Sequence, residues 1–243
     1  MTHSGKISIV FFGSGPVAAA SLDRLCDTFD VEAVVTKPKP THHKGDFPVI
    51  AVAEKHELPT ILVASKKEVS EKLTAANFKG EVAVLIDFGI IVSQDVIDMF
   101  PSGIINSHFS LLPEWRGADP ITFAILSGQQ TTGVSLMRLV EAMDEGPLLA
   151  IGAQALDNSS TTPWLTDRLI SLSDALLKRE LPRYLNGGAT LIKQEDLASL
   201  ITDFPYPNKP TYSRKLAKMD GLLDFNKPAI QLDREVRAYL EWP

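Results

Sequence analysis

The sequence predicts an α/β fold built on an open, doubly wound, mostly parallel sheet. Short runs of nearly all-apolar residues recur through the first half of the chain, amphipathic helical stretches separate them, and the first run closes on a glycine-bearing turn. A strand that is apolar at every position must be covered on both faces. Alternation with helices is how a parallel sheet obtains that cover.

The first strand is ISIVFFG at 7 to 13, bounded by glycine, and a helix is expected from Val17 to Thr28. On that helix Leu22, Leu25, Cys26 and Phe29 share one face, so Cys26 is expected to be a buried structural thiol. The second strand is VEAVVT at 31 to 36. A helical segment near 49 to 56, a short strand TILVA, a helix near 67 to 76 and the strand VAVLID at 82 to 87 continue the alternation. GIINSH follows as a strand, then a helix near 118 to 127. TGVSLMRLV and PLLAIGAQAL come closer to an apolar–polar alternation, and a long helix from Pro163 to about Leu185 closes the region. From about Ile192 prolines and aromatics interrupt any long sheet pattern. We read 1–190 as one domain and 191–243 as a linker and the start of a second unit, which carries the amphipathic stretch AIQLDREVRAYL.

Composition narrows the function classes. With 243 residues, 44% hydrophobic and 22% charged, the chain can bury a substantial core. Its net charge of −6 speaks against coating nucleic acid by bulk electrostatics but leaves room for a local basic patch. The stretch TKPKPTHHKG gathers Lys37, Lys39, His42, His43 and Lys44, with prolines that keep it out of regular structure; a solvated surface loop is the other reading. A single cysteine rules out an intrachain disulfide and a thiolate zinc cluster. No apolar run reaches bilayer length and the first residues lack a signal-peptide pattern, so a cytoplasmic location is expected.

Two motifs invite chemistry. FFGSGPVA places Gly13 and Gly15 between a strand and a helix, where exposed amides attract phosphate. The second strand, however, ends on Thr36 and Lys37 with no acid, so a plain tight turn is the better explanation. In IINSHFSLLP, Asn106 and His108 lie two positions apart at the carboxyl end of an apolar strand and therefore share a face, at the edge where open parallel sheets bind ligands. They are either a satisfied structural pair or a site. SLLPEWRGADP then supplies a rigid apolar loop suited to wall a flat ligand, and EAMDEGPLLA brings Asp144 and Gly146 into a turn. An acid reaching His108 would hold the ring ready to donate a proton or to stabilise negative charge; Asp144 as a simple turn residue is the alternative.

The segments GSGPVAAASLDRL, VAVLIDFGIIVSQ through EAMDEGPLL, and YSRKLAKMDGLLDFN together resemble the formyltetrahydrofolate-dependent formyltransferases, and within them those that formylate methionyl-tRNA. The resemblance covers nearly the whole chain. It implies a Rossmann-like formyltransferase fold with a short C-terminal extension, in which 1–190 is the catalytic domain and the chain ends near the start of a C-terminal barrel. It implies catalytic roles for Asn106, His108 and Asp144, folate contacts at Ser110, Leu111, Leu112 and Pro113, and a pterin loop at Phe88, Gly89, Ile90 and Ile91. Lys37, Lys39, His42, Lys44 and Arg116 are the implied nucleic-acid contacts. The implied donor is 10-formyltetrahydrofolate, used as a substrate with no metal, and the implied acceptor is initiator methionyl-tRNA, bound by a monomer. An amino sugar nucleotide or glycinamide ribonucleotide is the alternative acceptor, and a non-catalytic folate-binding module is the alternative of another class. Phe109 stands where that family usually has a small residue, and Glu145 where it usually has threonine.

Overall fold

The computed structural model describes residues 5–40, 47–76, 78–201, 203–204 and 206–243. The chain divides into two compact units: Met1–Ser107 with Arg138–Glu141 and Leu177–Thr190 form the first, and His108–Met137, Ala142–Leu176 and Leu191–Pro243 form the second.

In the first unit the order is β1 (Ser8–Phe12), α1 (Pro16–Leu25), β2 (Asp30–Thr36), α2 (Pro48–Lys55), β3 (Thr60–Leu62), α3 (Lys66–Ala75), β4 (Val82–Leu85), α4 (Gln94–Ile97) and β5 (Ile104–His108), whose last residue opens the second unit. The strands lie in the order β3-β2-β1-β4-β5 and every pairing is parallel. The direction of progression reverses between β1 and β4, which makes the sheet doubly wound, as its all-apolar strands require. Pro16 and Pro48 start their helices where a missing N–H costs nothing. Ser65 caps α3 by accepting from the Glu68 N–H at 3.3 Å. Val10, Phe12, Val35, Ala83 and Ile104 are wholly buried in one core, where Phe12 meets Phe88 and Phe100 edge-on at 5.4 and 6.0 Å.

The second unit carries β6 (Arg116–Gly117), α5 (Pro120–Ser127), β7 (Thr131–Arg138), β8 (Leu148–Ala155), α6 (Thr162–Leu185), α7 (Gln194–Leu200), β9 (Tyr212–Ser213) and α8 (Ala229–Ala238); β7 and α6 run on into the first unit at their ends. β7 and β8 pair antiparallel from Thr131–Ala155 to Met137–Leu148. With the parallel strands of the first unit they complete a mostly parallel, doubly wound α/β fold.

Several boundaries differ from the sequence expectation for physical reasons. α5 starts at Pro120 because Asp119 is left-handed, φ 56°, and cannot continue a helix. β4 stops at Leu85, just before Asp87 turns left-handed at φ 46°. α1 ends at Leu25, which leaves Cys26 as its partly exposed cap rather than a buried thiol, and desolvation pushes that thiol's pKa up. The stretch after Ile192 holds α7 and the short strand β9, which pairs in parallel with β6. Among the described residues no helix is long and apolar enough to cross a membrane.

Candidate active site

Asn106 and His108 sit on β5, each 7% exposed. In the second unit, His108 Nε2 lies 2.9 Å from the Trp115 carbonyl oxygen. A carbonyl only accepts, so Nε2 carries the hydrogen and the ring's other nitrogen is the one free to gain or lose a proton. That nitrogen, Nδ1, faces Asp144 Oδ1 at 3.8 Å. The distance suits an ion pair and exceeds a hydrogen bond. Asp144 instead accepts the Gly117 N–H through Oδ2 at 2.7 Å, and its own backbone is left-handed at φ 52°. A left-handed non-glycine residue costs of order 1–3 kcal/mol and persists only when its surroundings hold it.

Gln194, which no pattern in the sequence marks, is one of the residues that hold it. Gln194 is 6% exposed, and its Nε2 donates to the carbonyls of Asp144 at 2.8 Å and Gly146 at 2.9 Å, while its Oε1 accepts from Arg116 Nη2 at 2.8 Å. Two acceptors on one side and a guanidinium on the other allow only one orientation of the amide. Arg116 Nη1 pairs with Glu145 Oε1 at 2.9 Å, which anchors this arginine. The arginine's side chain is 12% exposed and directed at these protein partners.

The loop after His108 is fastened from several sides. Ser110 Oγ donates to the Glu114 carbonyl. Ser135 Oγ donates to the Ser110 carbonyl at 2.8 Å and accepts the Leu112 N–H at 3.0 Å. Tyr206 donates its hydroxyl to the Leu112 carbonyl. Thr211 accepts the Trp115 N–H on its hydroxyl and the Arg116 N–H on its carbonyl, both at 2.9 Å, and returns its own N–H to Pro113. Leu111, Leu112 and Pro113 are buried, and Phe109 is 5% exposed. Burial raises the pKa of the Glu114 carboxyl; burial and then the Glu114 charge raise that of the Tyr206 phenol.

The remaining candidates lie in the first unit or outside the described residues. Phe88 is buried, Gly89 is exposed and left-handed at φ 64°, and Ile91 is exposed. A Cβ placed on Gly89 would lie 2.6 Å from Lys37 Nζ, so that amine rests against the expected pterin loop. Lys39 is exposed; His42 and Lys44 lie outside the described residues. In the first turn the Ser14 and Gly15 amides donate to the Asp87 carbonyl at 3.0 and 3.3 Å, and a Cβ on Gly15 would come within 1.7 Å of Asp87 Oδ2. These amides have protein partners, which explains the glycine as a close approach rather than a phosphate cradle.

The second unit also contains a cavity of about 360 Å³, lined among others by Gln129, Asn158, Arg234 and Arg237. None of the sequence-predicted site residues lines it.

The formyl transferase family model matches residues 6–181. A methionyl-tRNA formyltransferase of Nitratidesulfovibrio vulgaris (strain DP4) is 33% identical over all of this chain and 72% of its own length. One from Magnetococcus marinus is 35% identical over 97% of this chain and 73% of its own. Among solved structures, an N-formyltransferase of Helicobacter canadensis in complex with folinic acid and dTDP-3-aminofucose aligns with a TM-score of 0.68 at 18% identity, covering 96% of this chain and 80% of that one. A phosphoribosylglycinamide formyltransferase of Bacillus halodurans aligns with 0.61 at 24%, covering 73% and 95%. These two share the fold. A family model over most of the sequence, joined by relatives above 30% identity along nearly its full length, shows that the chain belongs to the formyl transferase family.

Proposed function

We propose that this protein transfers a formyl group from 10-formyltetrahydrofolate to a primary amine, with Asn106, His108 and Asp144 as its reacting groups. The observation that carries the reading is the buried His108, whose Nε2–H is held by the Trp115 carbonyl while Nδ1 faces the Asp144 carboxylate at 3.8 Å. A ring pinned in that tautomer passes protons through Nδ1.

The amine nitrogen attacks the formyl carbon and the carbonyl oxygen gains a negative charge. Asn106 donates a hydrogen bond to that oxygen, since the Nε2–H of His108 is already given to Trp115. The proton lost by the amine goes to Nδ1, and Asp144 stabilises the imidazolium that results. As the oxyanion collapses, the bond from carbon to the folate nitrogen breaks and the same proton passes to that nitrogen. Formamide and tetrahydrofolate result, with atoms and charge in balance. Phe88, Gly89, Ile90 and Ile91, with the loop Ser110 to Pro113, are the proposed folate contacts.

Two acceptors are each favoured by a separate observation. Identity of 33–35% along the chain to methionyl-tRNA formyltransferases supports the methionyl amine of initiator tRNA, with Lys37, Lys39, His42 and Lys44 as candidate contacts, whereas Arg116 is engaged by Glu145 and Gln194. Of the solved structures of like fold, one is in complex with dTDP-3-aminofucose and another is named a phosphoribosylglycinamide formyltransferase, which supports the alternative acceptor. The net charge of −6 also suits the small acceptor better. Offering labelled formyl donor with methionyl-tRNA, amino-sugar nucleotides and glycinamide ribonucleotide in parallel decides between them. A non-catalytic folate-binding module transfers label to none. His108→Ala is expected to lower kcat by about 10²–10⁴ while folate affinity measured by calorimetry changes little; ordinary turnover in that variant removes His108 from the mechanism.

A further inference from the structure

We infer that Gln194 is a positioning residue for the formyl transfer, acting through Asp144 and resting on the function proposed above. Asp144 has to point a carboxylate at His108 from a left-handed backbone, and the side chain of the next residue, Glu145, is engaged by Arg116. Gln194 supplies a brace for the turn. It enters from the first position of α7, far away in sequence, and its amide closes on both ends of the turn at once, at the carbonyls of Asp144 and Gly146. Arg116, fixed to Glu145 by one amino group, gives its other to Gln194 Oε1 and so keeps the amide from rotating. The next residue, Gly117, donates its N–H to Asp144 Oδ2. Backbone and side chain of Asp144 are therefore set by a closed ring of contacts, Gln194 to Arg116 to Gly117 to Asp144 and back to Gln194.

The 3.8 Å separation of Asp144 from His108 leaves little tolerance. A shift of about 1 Å in a group that supports chemistry costs on the order of 10²-fold in rate. Gln194→Ala is accordingly expected to lower kcat by about 10- to 100-fold, with KM for the folate donor nearly unchanged. Gln194→Glu keeps the shape but places a carboxylate oxygen against two carbonyls. It is expected to be as slow as Gln194→Ala at neutral pH and to close the gap to wild type as the pH falls and the introduced carboxyl gains a proton to donate. Recovery in acid counts for positioning where circular dichroism shows Gln194→Glu equally folded at both pH values, because protonating a buried carboxylate also restores stability.

The measurement uses the full chain with formyl donor and the accepted amine, following kcat, KM and the pH profile of the wild type, Asp144→Asn, Gln194→Ala and Gln194→Glu. Absence of transfer by the wild type sinks the function and this inference together. Full transfer by Asp144→Asn sinks the role of Asp144, and this inference with it. If Asp144→Asn is slow while Gln194→Ala keeps the wild-type kcat, or if Gln194→Glu is equally slow at every pH relative to wild type, this inference alone is wrong. Should Gln194→Ala not fold, the pH profile of Gln194→Glu decides.

Discussion

At the scale of single residues, the side chains expected to react are held by groups that do not. His108 takes its tautomer from a backbone carbonyl seven residues on, and Asp144 takes its place from a glutamine fifty residues on. Asn106→Ala, which removes the proposed oxyanion donor, is expected to lower kcat by about 10²–10³, checked under single turnover with labelled donor. Gly15→Ala drives a methyl into the Asp87 carboxylate and is expected to destabilise the fold by roughly 1–3 kcal/mol in urea titration. Glu114 behaves differently. Its carboxyl pKa is raised in the folded protein by burial, so its contribution is fully present below the ordinary glutamate pKa and is lost as pH rises through the folded value. Glu114→Gln is therefore expected to melt higher than wild type at neutral pH, and to lose that advantage in acid. Asn106 and His108 were legible as a pair because a strand has period two and both fall on its polar end. Gln194 was not, since a glutamine at the start of a short helix looks like any solvated residue until the turn it reaches is known.

Elements divide along the same line. Apart from the one-turn α4, which was not expected, the strands and helices of the first unit were readable because each is a continuous apolar run or an amphipathic period. β6 and β9 were not, since a two-residue pairing has no period to recognise. The stretch read as a linker contributes Tyr206, Thr211 and Ser213, and these fasten the loop that follows His108. Thr211→Val removes the acceptor for the Trp115 N–H and is expected to cost about 1 kcal/mol of stability. It is also expected to speed hydrogen exchange at the Trp115 amide; unchanged protection there would show that the strap does not hold the loop.

For the molecule as a whole, charge supplies a test of the acceptor and shapes the response to pH. A tRNA acceptor held through phosphates gives a KM that rises steeply with salt, whereas a nucleotide-borne amine gives a shallow dependence. Comparing the two slopes tests the acceptor independently of which one is faster. Arg214 and the Ala217 N–H hold the Asp220 carboxyl well below the usual range. A depressed acid contributes stability that is present above its unfolded pKa and is lost as pH falls through the folded value. Asp220→Asn is thus expected to be less stable than wild type near pH 7 and equal to it in strong acid, read by thermal melting across pH.

The sequence by itself determined the doubly wound α/β class, the tight glycine turn and the Asn106–His108 pair, since each follows from periodicity or from neighbours along the chain. The tertiary structure decided which nitrogen of His108 carries the hydrogen, how far Asp144 stands from it, and that Gln194, Arg116 and Thr211 do the holding. Those facts depend on hydrogen bonds between segments far apart in sequence, and no local pattern encodes the meeting of two distant chains of residues.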